Sequence, residues 1–214
     1  MKKFLITAIL LIPFLNVNGQ GIGELAPPKP PEIFPSHALG VDVIFNDGGF
    51  GLGGFYRNRF TNVLTGFIDF SISEAKDPKE VTYVDYWGNT YTPDKVNRAF
   101  VIPLFIGMQY RLFEKDLYDN LRPYVNFAFG PAVVATDPYS KEFFSALGYA
   151  HANYTIGGYV GLGANFGLDR NNLIGINLRY YIIHLFNNGV ELMQGRTEKD
   201  VGGIYLTLNL GTMF

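Results

Sequence analysis

The chain predicts an all-β fold, an eight-stranded antiparallel transmembrane β-barrel with an N-terminal signal peptide, and three observations carry that prediction. From His37 to the last residue, segments of roughly ten residues alternate apolar with polar or small side chains. The charges on those segments share the face opposite Leu and Ile. The first nineteen residues read as an export signal. A helix cannot present a period of two, and a closed barrel with its apolar face outward satisfies every backbone group in lipid.

Residues 1–19, MKKFLITAILLIPFLNVNG, begin with Lys2 and Lys3, continue through an apolar run from Phe4 to Leu15, and end on Val17 and Gly19 before Gln20. Cleavage is expected before Gln20; the run is about half the ~20 apolar residues of a spanning helix. Its removal takes two lysines from 17 Lys and Arg, leaving 15 against 19 acids, a net charge of −4. That balance excludes a nucleic-acid partner. There is no Cys, which excludes a lipid-modified Cys anchor, disulfides and thiolate metal sites. Residues 20–35 hold five of the twelve prolines within nine residues, an extended periplasmic spacer rather than a docking strip.

The barrel is expected over residues 36–214. The first strand, His37–Asn46, turns Leu39, Val41, Val43 and Phe45 outward and Gly40, Asp42 and Ile44 inward, and NDGG closes a tight hairpin. The second, Gly49–Phe60, shows Phe50, Leu52 and Tyr56 outward; the third, Asn62–Ser73, shows Leu64, Ile68, Phe70 and Ile72. Arg57, Arg59, Asp69, Ser71 and Ser73 face in. The fourth, Phe100–Phe113, alternates most clearly, with Gln109 and Arg111 inward. Pro123–Ala135, Ala150–Leu168, Leu173–Phe186 and Val201–Phe214 complete the set. Connections after the third, fifth and seventh strands are long and polar; RNRFT, EKDLYDN and DRNN are short. Long loops outside, short turns inside and an even strand count put both termini in the periplasm.

Outward aromatics form two girdles: Tyr56, Phe60, Tyr110, Phe166 and Phe214 at one level, and Phe45, Phe50, Phe70, Phe100 and Tyr154 at the other. A soluble ligand-binding barrel would reverse the faces. The last strand ends on Leu208, Leu210 and a C-terminal Phe214. That ending is similar to the signal by which the outer-membrane assembly machinery recognises its barrels. In length, strand count and ending, residues 36–214 resemble the small eight-stranded outer-membrane barrels of the OmpX, OmpW and OmpA-transmembrane kind. The resemblance implies the cell outer membrane, with its lipid and the assembly machinery as partners.

Several strings imitate catalytic motifs. GGFGLGGF and GLGANFG lack the strand-turn-helix setting of a phosphate loop and read as strand glycines. Asn153-Tyr154-Thr155 is a glycosylation sequon inside a span. His37, His151 and His184 lie near strand ends without a second ligand at metal spacing. Lipid A deacylases, also outer-membrane barrels, carry His and Ser two residues apart on a late strand, but His184-Leu185-Phe186 lacks the Ser. Acyl transfer then has no attacking atom. No catalytic residue, metal or cofactor is expected, and a lipid A-modifying enzyme is the third reading.

The inward face divides by height. Towards the periplasm Asp42, Arg57, Arg111, Asn126 and Arg179 form a candidate lumen plug, with Arg59, Gln109, Asn165, Asn177 and Asn209 beside them. Above them Val101, Pro103, Phe105, Val134, Tyr159, Tyr181 and Ile183 form a candidate apolar cup for a small hydrophobic ligand arriving from outside. Pro103 and Pro131 each remove a ladder donor at similar heights, which weakens the wall there or makes local bulges. The inner glycines of the second and sixth strands leave free volume or make room for large side chains. The leading expectation is a non-enzymatic structural or surface-interaction barrel with a plugged lumen; the alternative is binding or transport of small hydrophobic molecules or lipids through the cup.

Overall fold

A computed structural model describes residues 34–214 except 116, 118, 119 and 168–170. The expected signal peptide and most of the proline-rich segment lie outside the described residues. Among the described residues there are twelve strands: β1 His37–Asn46, β2 Gly49–Arg59, β3 Leu64–Ala75, β4 Tyr83–Val84, β5 Thr90–Tyr91, β6 Asn97–Arg111, β7 Leu121–Pro138, β8 His151–Phe166, β9 Asn172–His184, β10 Val190–Met193, β11 Arg196–Glu198 and β12 Asp200–Met213. A short helix, Phe143–Ala146, precedes β8. Eight long strands close in the order β1-β12-β9-β8-β7-β6-β3-β2. Each pairs antiparallel with its neighbours, and β1 with β12 completes the ring.

The outward face is the expected apolar one. Leu39, Leu52, Ile68, Leu104, Ile106, Leu178 and Leu206 are all exposed, whereas Asp42, Ile44, Asp69, Phe105 and Arg179 on the opposite face are buried. Strand ends depart from the apolar pattern where ladders continue past it. Asn97 pairs with Pro138, so β6 starts before Phe100 and β7 runs beyond Ala135. The ring closes at the chain ends, where His37 and Phe214 exchange backbone hydrogen bonds of 3.1 and 2.9 Å. The first described residues and the C-terminus therefore share one end of the barrel, here called the terminal end.

Pro103 pairs with Ala132, which sets Pro131 opposite Leu104. The ladder is interrupted at Leu104 and Phe105 against β7, and at Ile102 and Pro103 against β3, with the register unchanged on both sides. These are gaps rather than bulges, as expected where a proline supplies no N–H.

The loop end carries secondary structure of its own. The β3–β6 connection contains the β4–β5 hairpin, and the β9–β12 connection contains β10–β11. The two connections bind each other: Val96 N–H donates to the Leu192 carbonyl at 2.8 Å and Gln194 N–H to the Asp94 carbonyl at 2.8 Å. Asn97 Nδ2 donates to the Glu191 carbonyl at 2.7 Å. Beneath them Leu185, Val190 and Leu192 join the apolar core of the barrel.

Candidate functional site

The centre of the lumen is a network of ionised and hydroxyl groups. Arg179 on β9 donates to Asp42 on β1 at 2.9 Å, and its Nη1 stands 3.5 Å from Asp69 on β3. Asn209 Nδ2 donates to the other Asp42 oxygen at 2.6 Å, and the Tyr124 hydroxyl donates to Asn209 Oδ1 at 3.3 Å. The Tyr159 hydroxyl donates to Asp69 at 2.7 Å. Nearer the terminal end, Arg57 donates to Asn165 at 3.2 Å and lies over the Phe55 ring. Pairing of this kind is what allows charges to remain buried.

Of the expected plug residues, Asp42 and Arg179 meet directly. Arg57 and Asn126 are buried in the same bore. Arg111 instead lines a small cavity of about 80 Å³ at the terminal end, with Arg57, Arg59 and Arg122. Phe34 packs into that mouth: the Arg122 guanidinium lies 4.0 Å from its ring centroid, and Arg59 donates to its carbonyl. Sequence reasoning set Asn209 among the groups that pair in the plug, and counted Asp69 as inward but left it out of the plug. The alternation of Asp69 in β3 was the available signal.

The apolar cup differs from expectation. Val101, Phe105, Val134 and Ile183 are fully buried, Pro103 also faces in, and Leu185, Val190 and Leu192 roof them. The route from the loop end is therefore covered. Tyr159 and Tyr181 belong to the plug as much as to the cup, since Arg179 donates to the Tyr181 hydroxyl at 3.3 Å and lies over the Tyr159 ring. Their rings fill the bore: Phe105, Tyr159, Tyr181 and Tyr205 succeed one another at centroid distances of 6.0, 4.9 and 4.3 Å. The physical reason is reach: a tyrosine rooted at an apolar height carries its hydroxyl down to a charge.

Inner glycines serve large neighbours. A Cβ at Gly161 would stand 2.5 Å from Asn126 Oδ1, and one at Gly163 would stand 2.6 Å from the Tyr124 hydroxyl.

A second cavity, of about 700 Å³, breaches the wall at the loop end beside β12. Both outward Ile182 and Ile204 and inward Ile183 and Tyr205 line it. Sequence reasoning missed it because no residue pattern marks where a neighbouring strand stops short. The β4–β5 hairpin projects from the same end, with Tyr86 95% and Trp87 83% exposed. Asp85 organises its turn by accepting from Trp87 N, Asn89 N and Asn89 Nδ2 at 2.8, 2.8 and 2.9 Å. These hydrogen bonds, the Asn89 side chain's first, hold the Asp85 carboxyl below its usual range. The His184 ring meets the Asp200 carboxylate at 2.7 Å rather than a hydroxyl.

No family model and no curated protein matches the chain. Among solved structures the fold is similar to that of Neisserial surface protein A, with a TM-score of 0.53 and 16% identity, over 86% of this chain and 100% of that one. The N-terminal β-barrel domain of OprF from Pseudomonas aeruginosa matches with a TM-score of 0.46 and 12% identity, over 84% and 99%. Ail, the attachment invasion locus protein of Yersinia pestis, matches with 0.42 and 14%, over 84% and 97%. The first of these matches, with the closed ring of eight strands, makes the fold that of the small eight-stranded outer-membrane β-barrels.

Proposed function

We propose that this protein is a non-enzymatic outer-membrane barrel with a structural or surface-interaction role and a closed lumen. The observation that carries the reading is the doubly closed bore: the Asp42–Arg179 network and closely packed tyrosines fill it, and the loop cap covers it. An eight-stranded barrel has an interior that side chains can fill. The apolar outward belt supports membrane insertion, and the short terminal-end connections support periplasmic termini.

Within this reading residues 1–19 are cleaved after export and residues 20–35 act as a periplasmic spacer. Leu208, Leu210 and Phe214 form the signal read by the assembly machinery; all three are exposed, the first two on the strand that closes the ring and Phe214 just past its end. Recruitment of a partner falls to the loop end, where the Tyr86–Trp87 hairpin projects.

Single-channel recording in planar bilayers tests the reading. The expected result is no stable large-conductance state, and a stable open channel overturns it. Binding of small hydrophobic molecules through the cup is the weaker reading, because its roof is closed. The deacylase reading loses further support from the carboxylate, rather than hydroxyl, partner of His184.

A further inference from the structure

The barrel wall is incomplete at one place. β1 ends at Asn46 opposite Tyr205, yet β12 continues to Asp200, paired with β9 alone. Residues 200–204 therefore have a strand on one side and the 700 Å³ cavity on the other. The short first hairpin is tied to β3 instead: Asn46 Nδ2 donates to the Glu74 carbonyl at 2.9 Å. On β12, Gly202 and Gly203 take φ of 154° and 129°, and nothing lies within 4 Å of where a Gly203 side chain would project. A Cβ at Gly202 would stand 2.3 Å from the Tyr181 carbonyl, so that glycine serves the close approach to β9, whereas Gly203 leaves the space open.

The lining has two characters. Tyr180, Ile182 and Ile204 continue the lipid-facing surface into the notch. The other wall carries Asp47, Lys76, Asp77, Glu80 and Asp200. Three of these acids have partners: Asp77 with Arg196 at 3.4 Å, Glu80 with Lys95 at 2.9 Å and Asp200 with His184 at 2.7 Å. Among the described residues Asp47 and Lys76 have no ion-pair partner, one charge of each sign. Behind the notch, Tyr181 and Ile183 belong to the packed core, so the cavity ends blind.

We propose that this notch binds one zwitterionic, single-chain amphiphile taken sideways from the surrounding leaflet, its chain on Ile182 and Ile204 and its head between Asp47 and Lys76. The volume falls within the roughly 300–1,000 Å³ of small-molecule sites, enough for one chain with its head. The blind end makes it a binding site and not a passage. The inference rests on the membrane-embedded part of the proposed function and is independent of whether the bore conducts.

The test uses the full barrel in lipid nanodiscs with a lysophosphocholine carrying a photoreactive group in its chain. Saturable adducts are expected on Tyr180–Ile183 and Ile204. Lys76→Trp, which fills the notch from its rim, should weaken labelling about tenfold, equivalent to roughly 1.4 kcal/mol. Asp47→Lys, at an exposed position, should shift preference towards an anionic lysophosphatidylglycerol probe and serves if Lys76→Trp fails to fold. Labelling spread evenly over the outward faces of β3, β6 and β7 would mean annular lipid only and would overturn the proposal, as would equal labelling by both probes in the unaltered protein. Failure of membrane insertion itself would show as no labelling anywhere, which separates that reading's failure from this one's.

Discussion

Arg179 and Asp42 lie 2.9 Å apart in the middle of the lumen although they are 137 positions apart in the chain. Asn209 completes the coordination of the carboxylate from the strand between them. The contact bridges β9 and β1 across β12, the strand that closes the ring.

Asp42→Ala should therefore destabilise the barrel by about 3–5 kcal/mol, because Arg179 keeps its burial and loses its nearest carboxylate. Urea unfolding from detergent micelles measures this as a lower midpoint. The double replacement Asp42→Leu with Arg179→Leu should recover only part of the loss, since the guanidinium is no longer stranded but buried Asp69 loses the cation 3.5 Å away.

The two loop connections should behave as one unit. Leu192 is buried under the cap, and its carbonyl accepts from Val96. Leu192→Ala removes packing worth about 2–5 kcal/mol. Limited proteolysis should then cut both residues 76–96 and residues 185–199 faster, while the strands stay protected. Faster cutting in 185–199 alone would show the loops to be independent.

Gly163→Ala should cost about 1–3 kcal/mol, the usual penalty of overpacking, since the added carbon meets Tyr124 and the Ile176 carbonyl at 2.6 Å. Pairing it with Tyr124→Phe should relieve only the hydroxyl contact. Thermal unfolding followed by circular dichroism reads both.

The Asp85 turn should survive mild acid. Its carboxyl titrates below the ordinary value of 3.8 because Asn89 and Trp87 donate to the ionised form. With the folded value depressed, the contribution to turn order is present above the unfolded value and lost as pH falls through the folded one. The amide resonances of Trp87 and Asn89 should titrate together below pH 3.8, and Asp85→Ala should abolish that transition at every pH.

Much of the architecture was legible from alternation alone. Leu39, Ile68, Leu104 and Leu206 had to face one way and Asp42, Asp69 and Arg179 the other, because a strand's side chains have a period of two and lipid rejects charge. The eight strands, the tight NDGG hairpin and the inward polar set followed from that rule. Which inward residues meet did not, because pairing depends on strand order and register around a closed ring. Tertiary structure decided that Asp42 takes Arg179, that Tyr159 and Tyr181 send their hydroxyls down into the plug, and that Leu185, Val190 and Leu192 roof the apolar ring. It also decided where the wall opens: a short β1 beside a long β12 leaves a notch, and neither strand's sequence records the length of its neighbour.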